Sequence, residues 1–123
     1  MLAGVLRASD EVCIVIPHYR EDLTSTEQSS LERCMSVLAN YPKALVKPQG
    51  ITCRRLLDEH PALLAESFAD EYFAGVSGYN RLMLSDDFYA RFERFEYILI
   101  YQLDAFVFSD QLSSWCRRGY DYI

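Results

Sequence analysis

The chain has 123 residues, half of them hydrophobic and 24% charged, with nine Tyr and seven Phe; it suits one core burying roughly two-thirds of the unfolded surface and excludes disorder. A net charge of -6, with no Lys/Arg stripe interleaved by aromatics, excludes a nucleic-acid backbone as partner but not one nucleotide, whose diphosphate needs only a few donors, a helix N-terminus or a cation. Cys13, Cys34, Cys53 and Cys116 form no C-x-x-C, and residues 1–7 are too short and weakly apolar for a leader, so reduced packing cysteines, no membrane span and a cytoplasmic location are expected.

Val12, Cys13, Ile14, Val15 and Ile16 make an apolar, β-branched run stopped by Pro17, the pattern of a strand covered on both faces in a parallel sheet. Thr24 and Glu27 stand at capping-box spacing. Leu31, Cys34, Met35 and Leu38 follow at i, i+3, i+4 and i+7, which predicts an amphipathic helix ending near Asn40. Pro42 breaks it, Ala44, Leu45 and Val46 give a second strand, and Lys47-Pro48-Gln49-Gly50 turns the chain out. A short helix is expected over 54–59, closed by His60-Pro61, and a third strand over 62–68. Gly75 and Gly78 bracket a turn, after which Asn80 opens one helix and Ser85 caps the next, carrying Phe88, Phe92 and Phe95. The strongest strand spans 97–103 and continues to Phe108, broken only by Gln102 and Asp104. Ser109 caps a last helix with Leu112, Trp115 and Cys116 on its stripe and Gly119 beyond its end. Residues 120–123 are expected to begin another strand, in the middle of which the chain would stop. Strands alternating with helices predict a mostly parallel, Rossmann-like α/β sheet in one domain over 1–123.

In such sheets ligands sit beyond the carboxyl ends of the strands. The residues there are Pro17, His18, Tyr19, Arg20, Glu21 and Asp22 after the first strand, Lys47 after the second, and Asp104 on the fourth. A carboxylate isolated in an apolar strand is costly unless paired or metal-bound, so Asp104 stands out, the plain alternative being a buried cap on a neighbouring loop. Arg81, beside Asn80 at the start of a helix, offers a fixed fork to a phosphate or is a plain surface charge. Lys47 and Arg20 carry weaker forms of the same argument. His18 and His60 share no carboxylate-rich neighbourhood, so no zinc site or histidine relay is expected and His18 is placed on the rim. Gly75-x-x-Gly78 lacks a following Gly-Lys-Ser/Thr and is no phosphate loop.

Val12 to Tyr19, reading VCIVIPHY, resembles the opening strand of glycosyltransferases with the GT-A fold. The segments YFAG from Tyr72, GYNRL from Gly78 and YILIYQLDAFVF from Tyr97, with Trp115 and the ending GYDYI, resemble an uncharacterised domain-of-unknown-function family related to those enzymes. The resemblance implies a GT-A nucleotide-diphospho-sugar transferase fold, of which this chain would be the N-terminal, donor-binding part of a longer domain. It implies a nucleotide-sugar donor, a glycan or other hydroxyl acceptor, and a donor-binding set of Pro17, Tyr19, Lys47, Asn80, Arg81 and Asp104. Pro17 and Tyr19 would line the base pocket, and Asn80 and Arg81 would face the ribose or diphosphate. GT-A enzymes usually carry Asp-x-Asp at the end of the corresponding strand to hold Mn²⁺ or Mg²⁺. Here Asp104 is the one metal candidate, and Phe106 at the third position cannot ligate, so Asp104 is also a candidate contact to ribose or sugar.

Without its later half the chain is expected to bind donor rather than turn over, and to expose an apolar sheet edge. The alternative is a non-catalytic nucleotide-binding or interaction module with the same fold. A receiver-type phosphoryl-transfer domain needs acidic residues directly after its first strand, where Pro17-His18-Tyr19 stand.

Overall fold

The computed structural model describes residues 12–103. Asp104, Cys116, the continuation of the fourth strand to Phe108, the helix capped by Ser109 and the strand begun at Tyr120 lie outside the described residues. Among the described ones, β1 (Val12–Pro17), β2 (Lys43–Pro48), β3 (Leu64–Phe68) and β4 (Tyr97–Ile100) form an all-parallel sheet in the order β3-β2-β1-β4. The helices are α1 (Ser25–Val37), α2 (Arg54–Glu59), a 3-10 turn (Asp70–Phe73), α3 (Val76–Met83) and α4 (Asp86–Ala90). This is an α/β fold compatible with the Rossmann-like class. No helix among the described residues is long and apolar enough to cross a membrane.

β1 lies between β2 and β4, with Ile14 opposite Lys43 on one side and Leu99 on the other. Its five apolar residues are fully buried, because a central parallel strand is covered on both faces and reads as a continuous apolar run. Successive side chains take opposite faces. Val12, Ile14 and Ile16 pack with Leu31 and Cys34 of α1 and Leu56 of α2. Cys13 and Val15 pack with Leu82 of α3 and Phe88 of α4. The three described cysteines are free and buried, and burial pushes the Cys13 and Cys34 thiols up to about 11, as inert packing residues require.

The capping box forms as expected: Glu27 N–H donates to Thr24 Oγ1 at 3.2 Å and Thr24 N–H to Glu27 Oε1 at 2.9 Å. The far end differs, for α1 stops at Val37 rather than near Asn40. Buried Lys43 reaches back from β2 and donates to the carbonyls of Leu38 and Tyr41, satisfying acceptors in the turn that follows the helix end. β3 starts at Leu64 rather than 62, because Leu63 N–H closes a turn onto His60 O after Pro61.

β4 ends at Ile100, short of the expected 103. Tyr101 N–H still donates to Val15 O at 2.8 Å, but the neighbouring strand then reaches Pro17, which has no N–H to extend a ladder. α3 begins at Val76, so Gly78 sits inside a helix and not in a turn. Gly75 supplies the break with φ 157° and ψ -179°, a conformation essentially confined to glycine.

Candidate functional site

The carboxyl ends of β1 and β4 open into one cleft of about 590 Å³. From β1 come Pro17, His18 and Tyr19; from the loop after β4, Gln102 and Leu103. The opposite wall is the stretch from Phe73 to Val76 together with Tyr79 of α3, and Glu27 of α1 closes one side. In the order β3-β2-β1-β4, the chain leaves β1 toward β2 on one side while β4 lies on the other, so this is the sheet's topological switch point.

Each wall is fixed by a long-range contact. Tyr101 bonds through its hydroxyl to the carbonyl of Ser30 in α1 at 3.3 Å, which holds the loop carrying Gln102 and Leu103. Burial pushes the Tyr101 hydroxyl pKa up, as suits a structural phenol. Gln102 Nε2 donates to Tyr79 OH at 3.0 Å, tying that loop to α3. On the β1 side His18 is almost sealed, with 3% exposure. Its backbone N–H donates to Val46 O at 2.9 Å and its Nε2 lies 3.1 Å from Asp22 O. Burial holds its pKa below the usual histidine value, opposed by that carbonyl bond. Tyr19 is the contrast, 60% exposed on the cleft rim, with the Arg20 guanidinium 5.2 Å from its ring centre. Arg20 also pairs with Glu27.

The structure brings only part of the expected set together. Pro17 and Tyr19 line the cleft; Lys47, Asn80 and Arg81 do not. Lys47 lies within β2 rather than after it and is buried. Its amine donates to Ile51 O at 2.6 Å and Pro48 O at 3.4 Å, closing the turn after the strand. Because α3 starts at Val76, Asn80 and Arg81 fall in its exposed latter half and not at its N-terminus. Arg81 lies 5.8 Å from the Tyr72 ring centre and so covers the 3-10 turn. Asp104 is outside the described residues. Val76 and Tyr79 were missed, although a glycine followed by an uncapped helix start is a readable signal.

Glu21, expected on the rim, instead caps α2. It accepts from Thr52 N at 2.9 Å, Thr52 Oγ1 at 3.0 Å and Arg54 N at 3.2 Å, and these bonds, the Thr52 N–H first, hold its pKa below the usual carboxylate value. A depressed carboxylate stabilises the fold fully above its unfolded pKa and loses that contribution as pH falls through the folded one. Wild type should therefore lose more stability than Glu21→Gln in urea denaturation compared between about pH 7 and about pH 3, a window spanning the carboxylate range. Equal losses would show that Glu21 does not hold α2.

Among the described residues no three His, Cys, Asp or Glu side chains are grouped as a metal site. A sequence model of the family described as Protein of unknown function (DUF5672) matches residues 62–123, half of the chain. The match contains the α3 wall and the loop after β4 but not the Pro17–Tyr19 rim. No curated protein and no solved structure matches the chain.

Proposed function

We propose that this chain, which belongs to the family described as Protein of unknown function (DUF5672), holds the nucleotide of a nucleotide-sugar donor in the β1/β4 cleft and serves a glycosyltransferase. The observation that carries the reading is the cleft's position at the switch point of a parallel sheet, where nucleotides bind in α/β folds. Its chemistry suits the ligand. Pro17, Tyr19 and Leu103 offer an apolar and aromatic wall for a base, while α3 meets the same cleft through Gly75 and Val76 with no side chain capping its first N–H groups. Those donors and the helix dipole suit a diphosphate.

The described lining does not fit a divalent cation. Its one carboxylate, Glu27, is committed to Thr24 N–H and Arg20, so no step is routed through a metal; Mn²⁺ or Mg²⁺ at Asp104 remains part of the proposal. The same commitment of Glu27 favours a second reading, a nucleotide-binding module without sugar transfer.

Thermal-shift titration with UDP, GDP, CDP and ADP, each with and without Mn²⁺, tests the reading. A nucleotide at a hundred times its Kd should stabilise by about 2.7 kcal/mol. Val76→Asp should abolish that shift. Val76 is 78% exposed at the first position of α3, so an aspartate there suits the helix dipole and leaves the fold intact while repelling a diphosphate. No shift with any nucleotide in folded wild type, or an undiminished shift in Val76→Asp, would sink the proposal. Release of nucleoside diphosphate from a bound nucleotide sugar separates transferase from binding module.

A further inference from the structure

The cleft contains one polar side chain whose hydrogen-bonding character the fold has already decided. A backbone carbonyl only accepts, so the 3.1 Å contact of His18 Nε2 with Asp22 O requires the hydrogen on Nε2. The neutral ring then has a bare Nδ1, and no described group bonds to it. His18 lines the cleft, and with Nε2 committed to Asp22 O, Nδ1 is the ring nitrogen left for a ligand there. Backbone pairing to Val46 and the Asp22 contact leave the ring little freedom to turn.

We infer that His18 selects the ligand: its bare Nδ1 accepts a hydrogen bond from a neutral N–H or O–H donor of the bound molecule, a nucleobase imide or a sugar hydroxyl. This rests on the nucleotide reading and deepens it. A protonated imidazole donates at both nitrogens and repels such a donor. The charged groups facing His18 are Glu27 of α1 and Arg20 of the loop, which push its pKa in opposite directions. Among the described residues, α3, its cap Gly75 and the loop after β4 present Gly75, Val76, Tyr79, Gln102 and Leu103 to the cleft, none of them charged. The buried ring already favours its neutral form, so binding is full at neutral pH and weakens as pH falls through the depressed folded pKa.

The experiment has two arms on the full chain. Nitrogen-15 NMR of the histidines, without ligand, reads the tautomer: Nε2 protonated and Nδ1 bare is expected, and the reverse overturns the inference. Calorimetric binding of the nucleoside diphosphate that gives the largest thermal shift is then compared across pH 5 to 8 in wild type, His18→Gln and His18→Phe. His18→Gln keeps a donor for Asp22 O and an acceptor for the ligand, so its binding should stay near wild type and lose the pH dependence. His18→Phe should bind about tenfold or more weakly. Base N-methylated and 2′-deoxy forms of the same probe distinguish the sources, the one that loses affinity in wild type but not in His18→Phe naming the donor. Unchanged affinity in His18→Phe overturns this inference alone. No binding to wild type overturns the nucleotide reading and this inference together, whatever the tautomer.

Discussion

Replacing Phe88 with alanine is expected to remove about 3–5 kcal/mol of stability, a large share of the 5–15 kcal/mol typical of a domain. Phe88 is fully buried on the α3/α4 face of the sheet. Its ring centre lies 5.8 Å from that of Phe68 at the end of β3 and 5.3 Å from that of Phe92. Tyr89 meets it edge-on at 5.0 Å. α4 has only five residues, far below the length at which a helix holds itself, so its anchorage is this aromatic cluster and the Ser85 cap, whose Oγ accepts from Phe88 N–H at 3.2 Å. Arg91 is fixed by the same packing: it lies over Phe68 at 4.1 Å and donates to Glu66 and to Ser67 O, each at 3.0 Å. Truncating Phe88 loosens both. Urea denaturation should show a lowered midpoint with an unchanged m-value, and Phe88→Leu should cost less than half as much. A loss under about 1 kcal/mol would mean that the site collapses around the gap and that the cluster is not the anchor.

Gly78→Val should cost about 3 kcal/mol or more and open the cleft. By helix propensity alone, filling a helical glycine gains nearly 1 kcal/mol with Ala and less with Val. Packing reverses the sign, because a Cβ at Gly78 would stand 2.4 Å from Glu71 O and 3.2 Å from the Tyr72 backbone. Both obstacles are main chain of the 3-10 turn and have no rotamer to change, so α3 must move away, at the upper end of overpacking costs. That movement carries Val76 and Tyr79 from the cleft and strains the Gln102 to Tyr79 bond. Gly78→Ala should destabilise in the same direction by less. Thermal melts of both variants, with the nucleotide titration repeated on each, read the two effects. A Gly78→Ala protein more stable than wild type would show that propensity governs here and that α3 is not clamped to the turn.

The elements were legible where one stretch of chain holds their cause. The unbroken apolar run of Val12 to Ile16 and Pro17 gave β1 with its observed end, and Thr24 with Glu27 gave the start of α1. The bounds of α2 were read correctly from its flanking residues, and Ser85 capped α4 as expected. Of the candidate cleft, the residues expected from the sequence that line it are Pro17 and Tyr19, with His18 between them. Lys47 stood at the right end of a strand, but whether an amine faces ligand or its own turn depends on the carbonyls of Pro48 and Ile51 in the folded loop. Arg81 was misplaced because Gly75 and Gly78 read alike in sequence, although one breaks the chain and the other is buried against main chain.

The sequence by itself determined an α/β chain with parallel strands, free buried cysteines among the described residues and the caps of α1 and α4, since periodicity, capping and proline act within a turn or two of their own residues. The tertiary structure decided the strand order, the meeting of β1, α3 and the loop after β4 around one cleft, and the use of Glu21 to cap α2 across 31 residues of chain. Those outcomes depend on which carbonyl, carboxylate or ring arrives from a distant segment, and that is fixed only when both faces of the sheet are buried together.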